Sequence, residues 1–225
     1  MRISSLEPWD VDLRLFARWK DPRLGRHLHL PLQSGSDAVL RRMARRCDSA
    51  EYAQLVAAAH EAIPDLTLTT DVIVGFPGES EDDWRATLAL CEEMQFAHIH
   101  IFSYSPRHGT AAARMGGAVS SEVKRERSRE LHRLAGEMKS ACLERYVGSS
   151  REVLCEGDDI ELAKGQRRWS GLTDNYLRCK LTAPAAMDLE NRLVQVRLVG
   201  AARDHLVGEL EDTLASSWPP PDDQR

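Results

Sequence analysis

Three short polar segments contain the side chains that could bind a ligand, and each follows an apolar stretch of the sequence. The first contains Gln33 and Ser34, the second spans residues 75–79, and the third runs from Tyr104 to Thr110. Amide, hydroxyl and carboxylate groups can hydrogen-bond a polar ligand, and glycines let the backbone approach it closely. A single loop of this composition is typical of an ordinary turn. The recurrence of three such loops predicts one composite binding site.

The apolar stretches before these loops are predicted strands, and amphipathic helices alternate with them. Strands are expected at residues 27–32, 66–76 and 97–103, and helices at residues 37–46, 49–63, 80–95 and 120–146. The continuous apolar run at residues 72–74 is typical of a parallel strand that is buried on both faces. Ser80 and Asp83 have the spacing of a capping box at the start of the third helix. This alternation predicts an α/β fold with right-handed βαβ units and a ligand site at the carboxyl ends of the strands.

The sequence changes character near residue 147. Short β-type runs follow at residues 151–155, 171–181, 193–198 and 205–210, with glycine and polar turns between them. Such a series predicts a small antiparallel β-barrel. We therefore expect one domain over residues 1–146, a second over residues 147–212, and a disordered tail over residues 213–225.

Composition and charge limit the possible classes of protein. The 225 residues are 42% hydrophobic and 29% charged, which suits a globular chain with a buried core. No apolar run approaches the roughly 18 residues of a membrane span, and the first residues lack the features of a signal peptide. These features predict a cytoplasmic protein without a membrane partner. The second domain has nine basic and twelve acidic residues, so any nucleic-acid binding must depend on local patches.

Cysteines and histidines are the candidate metal ligands. The five cysteines stand 44, 51, 13 and 24 residues apart, which matches no zinc, dithiol or iron–sulfur motif and predicts reduced, mostly buried thiols. His27 and His29 form one His-x-His pair, and His98 and His100 form another; each pair projects to one face of its strand. Metal binding is one interpretation of these pairs. We favour the other, in which neighbouring strand residues satisfy the imidazoles, and we predict no metal site.

Basic and aromatic residues of the predicted barrel are candidates for RNA binding. They are Lys164, Arg167, Arg168, Trp169, Tyr176, Arg178 and Lys180. An aromatic ring beside arginines can stack on an unpaired base while the arginines contact phosphates. The same residues could instead belong to a purely structural barrel. In the last predicted helix, the basic residues between 124 and 133 are typical of a solvated face, and phosphate contact is the alternative.

Three long segments carry a family resemblance. HLHLPLQSGSDAVLRRMARR, TTDVIVGFPGESEDDW and HIFSYSPRHGTAAARM, in this order and spacing, resemble the radical S-adenosylmethionine methylthiotransferases. Residues 2–8 resemble the barrel strand that precedes them in that family, and residues 147–212 resemble its RNA-binding TRAM domain. The resemblance implies a partial radical S-adenosylmethionine (β/α) barrel, made of its C-terminal βα units. A small antiparallel, OB-like TRAM barrel would follow it.

The resemblance also implies roles for individual residues. It assigns S-adenosylmethionine binding to Gln33, Ser34, Arg45, Asp71, Gly75 and Glu79. Gln33 and Asp71 would hold the ribose hydroxyls, and the glycine-flanked loop would lie near the adenine. Arg45 would pair with the methionine carboxylate, with Arg42 and Arg46 as alternatives. Without the resemblance, Arg45 would be read as part of a solvated helix face and Asp71 as a turn residue at a strand end.

The family's chemistry requires a [4Fe–4S] cluster held by a Cys-x-x-x-Cys-x-x-Cys loop, and a second cluster held by three further cysteines. This sequence contains neither set, and therefore no catalytic residue is assigned. The resemblance implies that the N-terminal domain and the first two βα units are missing, and that a separate chain could carry them. A sheet that starts at the third strand would leave an unpaired edge. We therefore expect exposed apolar surface, weak stability, or a partner chain.

Two shorter segments indicate a branch of the family. Residues 170–176, SGLTDNY, and residues 100–102, HIF, resemble the branch that acts on threonylcarbamoyladenosine in tRNA. The implied reaction is methylthiolation at C2 of N6-threonylcarbamoyladenosine at position 37 of tRNA. We expect this chain to be inactive without the cluster-binding part. Two alternatives remain: a non-catalytic RNA-binding or scaffold remnant, and the branch that modifies a ribosomal protein.

Overall fold

The structure, a computed structural model, describes residues 1–3, 5–162 and 165–211, apart from the side chains of residues 157–159 and 161. The chain divides into two compact units between Cys142 and Leu143, close to the boundary expected at residue 146. The segment that was expected to be a disordered tail lies outside the described residues. Among the described residues, no helix combines the length and apolar character needed to cross a membrane.

The first unit is built from alternating strands and helices. Its elements are β1 (His27–His29), α1 (Asp37–Arg42), α2 (Ser49–Ala62), β2 (Thr67–Val74), α3 (Glu81–Met94), β3 (His98–Ser103) and α4 (Ser121–Glu144), with 3₁₀ helices at Pro8–Asp10, Leu13–Lys20 and Ala112–Arg114. The strands form a parallel sheet in the order β1-β2-β3. The predicted α/β class is confirmed.

Side-chain caps define where two of these helices start. The hydroxyl of Ser80 accepts from the Asp83 N–H, and the Asp83 carboxylate accepts from the Ser80 N–H, which confirms the predicted capping box of α3. A second capping box, between Asp48 and Glu51, starts α2 and was not predicted. Each box satisfies backbone donors that a helix leaves unpaired in its first turn.

The sheet has one apolar face and one polar face. Its buried apolar side chains belong to the core that includes residues of α2, α3 and α4, and they are Leu28, Leu30, Leu68, Val72, Val74 and Ile99. Alternate residues point to the opposite face, which carries His29, Asp71 and His100. The prediction that residues 72–74 are buried on both faces is therefore only partly correct, because Ile73 is half-buried while its neighbours are fully buried.

The edge of the sheet at β1 is partly covered by the start of the chain. The N–H of Leu6 donates to the carbonyl of His29 at 3.2 Å, and the N–H of Gly25 donates to the carbonyl of Met1 at 2.7 Å. The described residues before Pro8 therefore lie beside β1 without forming a regular strand. This contact reduces the bare edge that the sequence led us to expect.

The second unit contains a closed barrel of five strands. They are β4 (Ser150–Leu162), β5 (Gln166–Thr173), β6 (Arg178–Pro184), β7 (Leu193–Ala201) and β8 (Leu206–Leu210), in the order β4-β5-β6-β8-β7. The pairs are antiparallel except β6 with β8, which is parallel. The single run predicted over residues 171–181 is wrong. It is two strands joined by a tight turn, in which the Tyr176 N–H donates to the carbonyl of Thr173.

Candidate functional site

The main chain pairs Gln33, just past the carboxyl end of β1, with β2 on either side of Val72. The N–H of Gln33 donates to the carbonyl of Asp71 at 2.8 Å, and the Ile73 N–H donates to the carbonyl of Gln33 at 2.9 Å. Gln33 has a φ of 69°, a left-handed conformation that costs free energy in a residue other than glycine. Within the described residues, its side-chain amide has no hydrogen-bond partner. Gln33 is half-buried, so part of its side chain can be reached from solvent.

The Asp71 carboxylate lies on the polar face of the sheet. Its side chain is 25% exposed, and one carboxylate oxygen is 3.4 Å from Nε2 of His29. A carboxylate and an amide oxygen can each accept a hydrogen bond from a sugar hydroxyl. Of the six residues predicted for the S-adenosylmethionine site, Gln33 and Asp71 present polar groups that fit this task.

The Ser34 hydroxyl makes hydrogen bonds within the protein. Its hydroxyl is fully buried, lies 3.1 Å from Oγ1 of Thr87, and accepts from the Ser36 N–H. A Cβ on Gly35 would lie 2.6 Å from the Thr87 Cα, so the loop packs directly on α3. Ser34 therefore fastens the loop to α3, and its hydroxyl does not face a ligand.

Arg45 is already paired within the first unit. Its guanidinium donates to Oε2 of Glu7 at 2.7 Å and to the carbonyl of Pro31 at 3.2 Å. It also lies 4.3 Å from the centre of the Trp9 ring, a cation–π contact. A ligand carboxylate would have to displace Glu7 from Arg45. Sequence reasoning missed this partner, because the two residues are far apart in the chain.

The alternative residue Arg42 contacts the glycine-flanked loop. It donates to the carbonyl of Gly78 at 3.0 Å and lies 3.5 Å from the Asp83 carboxylate. The loop itself requires glycine. Gly75 has a φ of +75°, and a Cβ there would lie 2.3 Å from Cγ of Lys124.

Glu79 is buried beneath this loop. Its carboxylate accepts from the Gly75 N–H at 2.8 Å and from Arg127 at 2.8 Å. Burial raises the pKa of Glu79. Arg127 is itself only 7% exposed, so the predicted solvated face of α4 is wrong at this residue. Glu79 therefore holds the loop to α4, and its side chain is not open to a ligand.

The two histidine pairs meet on the polar face of the sheet. The rings of His29 and His100 are 5.7 Å apart, and those of His98 and His100 are 4.6 Å apart. Burial lowers the pKa of His27 to about 4. One ring atom or carboxylate oxygen from each of His29, Asp71 and His100 falls within 4.8 Å of the others.

The cysteines do not form a cluster site. All five are free thiols, and only Cys47 is not fully buried. Burial raises the pKa of Cys91 to about 12 and that of Cys155 to about 11, which disfavours the thiolate that metal ligation needs. The residues present therefore do not fit an iron–sulfur cluster.

The basic residues predicted for RNA binding lie partly on one outer wall of the barrel. Arg168 on β5 shares this wall with Arg178 and Lys180 on β6, since all three alternate with buried residues. Arg178 pairs with Glu156 and lies 3.3 Å from the Ser170 hydroxyl. We call Arg168, Arg178 and Lys180 the basic wall. Lys164 lies outside the described residues.

The two aromatic candidates have opposite environments. Trp169 is only 2% exposed and points into the barrel, where the Arg167 guanidinium lies 5.7 Å from its ring centre. This burial does not suit stacking on a base. Tyr176 is 42% exposed, in the turn between β5 and β6, with a φ of 70°.

The turn that presents Tyr176 is fixed by its neighbours. The Thr173 hydroxyl donates to the buried Asn175 side chain at 2.6 Å and accepts from the Leu177 N–H at 2.9 Å. Of the segment SGLTDNY, threonine and asparagine therefore build the turn, and tyrosine is the large side chain that it exposes.

Known proteins are similar in sequence to most of this chain. Residues 6–91 match the Radical SAM superfamily. The chain is 41% identical over 202 residues to the tRNA-2-methylthio-N(6)-dimethylallyladenosine synthase of Sorangium cellulosum, covering 88% of this chain and 41% of that protein. It is also 41% identical over 157 residues to the threonylcarbamoyladenosine tRNA methylthiotransferase of Thermotoga maritima, covering 69% and 36%.

A solved structure shares the fold. It is coproporphyrinogen III oxidase of Escherichia coli, a radical SAM enzyme, with a TM-score of 0.53 and 15% identity over 75% of this chain and 45% of that one. The resemblance to the radical S-adenosylmethionine methylthiotransferases is confirmed over most of this chain. The chain spans about two fifths of the length of the curated relatives it matches.

Proposed function

We propose that this chain is the C-terminal portion of a tRNA methylthiotransferase. Its parallel sheet would contribute part of an S-adenosylmethionine site, and its barrel, a TRAM-type domain, would bind tRNA in the cytoplasm. The observation that carries the proposal is the main-chain pairing of Gln33 with the Asp71–Ile73 part of β2, which leaves the Gln33 amide without a hydrogen-bond partner among the described residues and the Asp71 side chain 25% exposed. Both residues belong to the segment that matches the superfamily.

The residues of the first unit divide into groups that bind and groups that support. Gln33 and Asp71 accept from the ribose hydroxyls, and Arg45 binds the methionine carboxylate after exchanging Glu7 for it. Ser34 and Glu79 keep the two loops in place through Thr87 and Arg127. When bound, S-adenosylmethionine supplies radical chemistry for the modification of the nucleoside.

The iron–sulfur clusters have no ligand set among these 225 residues. Their cysteines would have to be supplied by additional protein, either another part of a longer chain or a separate chain. The reaction itself therefore needs that protein, whereas part of the cofactor contacts and the tRNA contacts come from the residues described above.

Within this family we propose the threonylcarbamoyladenosine branch, with methylthiolation at C2 of the nucleoside at position 37. The support is the SGLTDNY segment, in which buried Thr173 and Asn175 set the turn and Tyr176 is exposed at its tip. That tip, next to the basic wall, is where a nucleoside-specific contact can be made.

Calorimetry with S-adenosylmethionine tests the cofactor site. It should be done in the presence of EDTA, so that metal ions play no part. We expect Gln33→Ala and Asp71→Asn each to weaken binding at least about fivefold, since the first loses a hydrogen bond to a hydroxyl and the second replaces a charge-assisted hydrogen bond by a neutral one. Asp82→Asn, an exposed position on α3, is the matched control. Unchanged binding in both variants would contradict the proposed site.

Nucleoside analysis tests the reaction. The chain would be combined with a cluster-bearing N-terminal part of a relative and given tRNA carrying either N6-threonylcarbamoyladenosine or N6-dimethylallyladenosine. We expect methylthio product on the first substrate. If product forms only on the tRNA that carries N6-dimethylallyladenosine, the assignment to the threonylcarbamoyladenosine branch is wrong. Tight tRNA binding without product in any combination would favour the alternative, a non-catalytic RNA-binding protein.

A further inference from the structure

The polar face of the parallel sheet brings together three metal-ligating side chains from three different strands. His29 is on β1, Asp71 on β2 and His100 on β3, and Asp71 is directly paired with His100 in the strand register. One ligand atom from each lies within 4.8 Å of the other two. Because adjacent strands fix these positions, the grouping is part of the fold and does not depend on a loop.

The contact between His29 and Asp71 has the spacing of two ligands on one ion. Nε2 of His29 is 3.4 Å from a carboxylate oxygen of Asp71. Two ligand atoms that each lie about 2.1 Å from a tetrahedral zinc ion are about 3.4 Å apart. A proton or a metal ion between the two atoms would turn this approach into a favourable contact.

A hydrogen bond on the other side of the ring orients His29. Its Nδ1 lies 2.9 Å from Oγ1 of Thr69, and the same hydroxyl is 2.9 Å from Nε2 of His27. One consistent arrangement has the His29 Nδ1–H donating to the Thr69 hydroxyl and that hydroxyl donating to Nε2 of His27. Nε2 of His29 then carries a lone pair directed to Asp71. Metal-bound histidines are held in this manner by an outer partner.

His100 can complete the set. It is exposed, as expected for a residue near the free edge of the described sheet, and its ring lies 5.7 Å from that of His29. One of its ring nitrogens already lies within 4.8 Å of a ligand atom of each of the other two residues. His29 and Asp71 are half-buried, so the group is reachable from solvent while two of its members are held in place.

We propose that His29, Asp71 and His100 form a site for one divalent transition-metal ion of the zinc type. Two imidazoles and one carboxylate provide three ligands and leave at least one position for water or another ligand. The site requires only this face of the sheet and does not depend on the proposed enzymatic function, although it shares Asp71 with the proposed S-adenosylmethionine site.

Metal titration of the 225-residue chain, without S-adenosylmethionine, tests the proposal. Zn²⁺ binding is followed by calorimetry, and Co²⁺ binding by the visible absorption that a tetrahedral site of nitrogen and oxygen ligands produces. We expect one ion per chain. His100→Ala and Asp71→Asn should each weaken Zn²⁺ binding at least about tenfold, because even an outer partner of a ligand contributes that much.

His98→Ala is the matched control, since His98 lies on the same face and strand but outside the group. It should change the affinity by no more than about twofold. The proposal is overturned if the wild-type chain binds no Zn²⁺. It is also overturned if His98→Ala acts like His100→Ala while Asp71→Asn has no effect, because the ion would then bind a surface histidine pair.

The two proposals that involve Asp71 can be separated. Gln33→Ala should weaken S-adenosylmethionine binding and leave Zn²⁺ binding unchanged, whereas His100→Ala should do the reverse. A thermal unfolding midpoint measured for each variant shows whether it is folded. His100 is exposed, so its variant keeps the test valid even if an Asp71 variant fails to fold.

Discussion

The parallel sheet and the barrel both follow the two-residue alternation of β-strands, but with opposite consequences for the predicted ligand-binding residues. In the sheet, the apolar residues face the helices, and the other face carries exposed or half-buried Asp71 and His100. In the barrel, the same alternation buries Trp169 and leaves Arg168 and Lys180 outside. Residue type therefore identifies candidates, and the position within the alternation decides which of them a ligand can reach.

The buried ion pair of the first unit gives the largest expected effect. We expect Arg127→Ala to lower the free energy of unfolding of the first unit by about 3–5 kcal/mol, because it leaves the buried Glu79 carboxylate without its cation. The measurement is urea unfolding followed by the far-ultraviolet helix signal, since α1, α2 and α3 lie in this unit.

Arg133→Ala provides the control for this measurement. Arg133 also forms an ion pair on α4, with Glu137 at 2.8 Å, but its side chain is 64% exposed. Arg133→Ala should lower the free energy of unfolding by no more than about 0.5 kcal/mol. If the two variants lower the free energy of unfolding equally, the Arg127–Glu79 pair does not stabilise the glycine-flanked loop.

The carboxylate of Asp83 gives a smaller, pH-dependent effect. Burial alone would raise the pKa of Asp83, but hydrogen bonds from Ser36 and Ser80, together with Arg42, outweigh it and lower the pKa to about 2. The unfolded chain has a pKa of about 4 at this group. The stabilisation is therefore fully present above pH 4 or so and is lost as the pH falls through about 2.

We accordingly expect Asp83→Asn to lower the free energy of unfolding by about 2 kcal/mol at neutral pH. The difference from wild type should shrink as the pH falls from about 4 to about 2, which urea unfolding at several pH values measures. Asp82→Asn, at the exposed neighbouring position, is the matched control. A constant difference across this range would show that hydrogen-bond geometry, and not charge, accounts for the effect.

Much of the first unit could be predicted from the sequence, because its signals are local. The strand–helix alternation and the Ser80 capping box depend on residues close together in the chain, and both are confirmed. The partners of Arg45 and Glu79 could not be predicted in this way. Glu7 and Arg127 are distant in sequence, and only the folded chain brings them to these side chains.

The barrel was harder to predict for a different reason. The run at residues 171–181 contains Asp174 and Asn175, residue types that favour turns, and this signal was overlooked. The buried side-chain hydrogen bond between Thr173 and Asn175, which fixes the turn, could not be predicted from composition. Likewise, nothing in residue type alone distinguishes buried Trp169 from an exposed stacking ring.

Tyr176 and Trp169 sharpen the comparison within the barrel. We expect Tyr176→Ala to weaken tRNA binding by about 1–2 kcal/mol, roughly tenfold, because stacking of one base on an aromatic ring contributes this much. Trp169→Phe should leave the affinity unchanged and lower the thermal unfolding midpoint, because its ring is buried. Filter binding and thermal melts measure the two effects. If Trp169→Phe weakened tRNA binding and Tyr176→Ala did not, the stacking ring would be Trp169, which contradicts its burial inside the barrel.

The smallest expected effect concerns the basic wall. Lys180 is half-buried on the outer side of β6, beside Ser170 of β5. We expect Lys180→Ala to weaken tRNA binding by only about two- to fivefold and to reduce the slope of log affinity against log salt by about 0.7 to 0.9, as for one lost phosphate contact. Arg197→Ala, an exposed position on β7, is the control, since β7 adjoins neither β5 nor β6. If both variants change the affinity and the salt slope equally, tRNA is attracted by the charge of the whole barrel. The basic wall would then not be a distinct tRNA-binding surface.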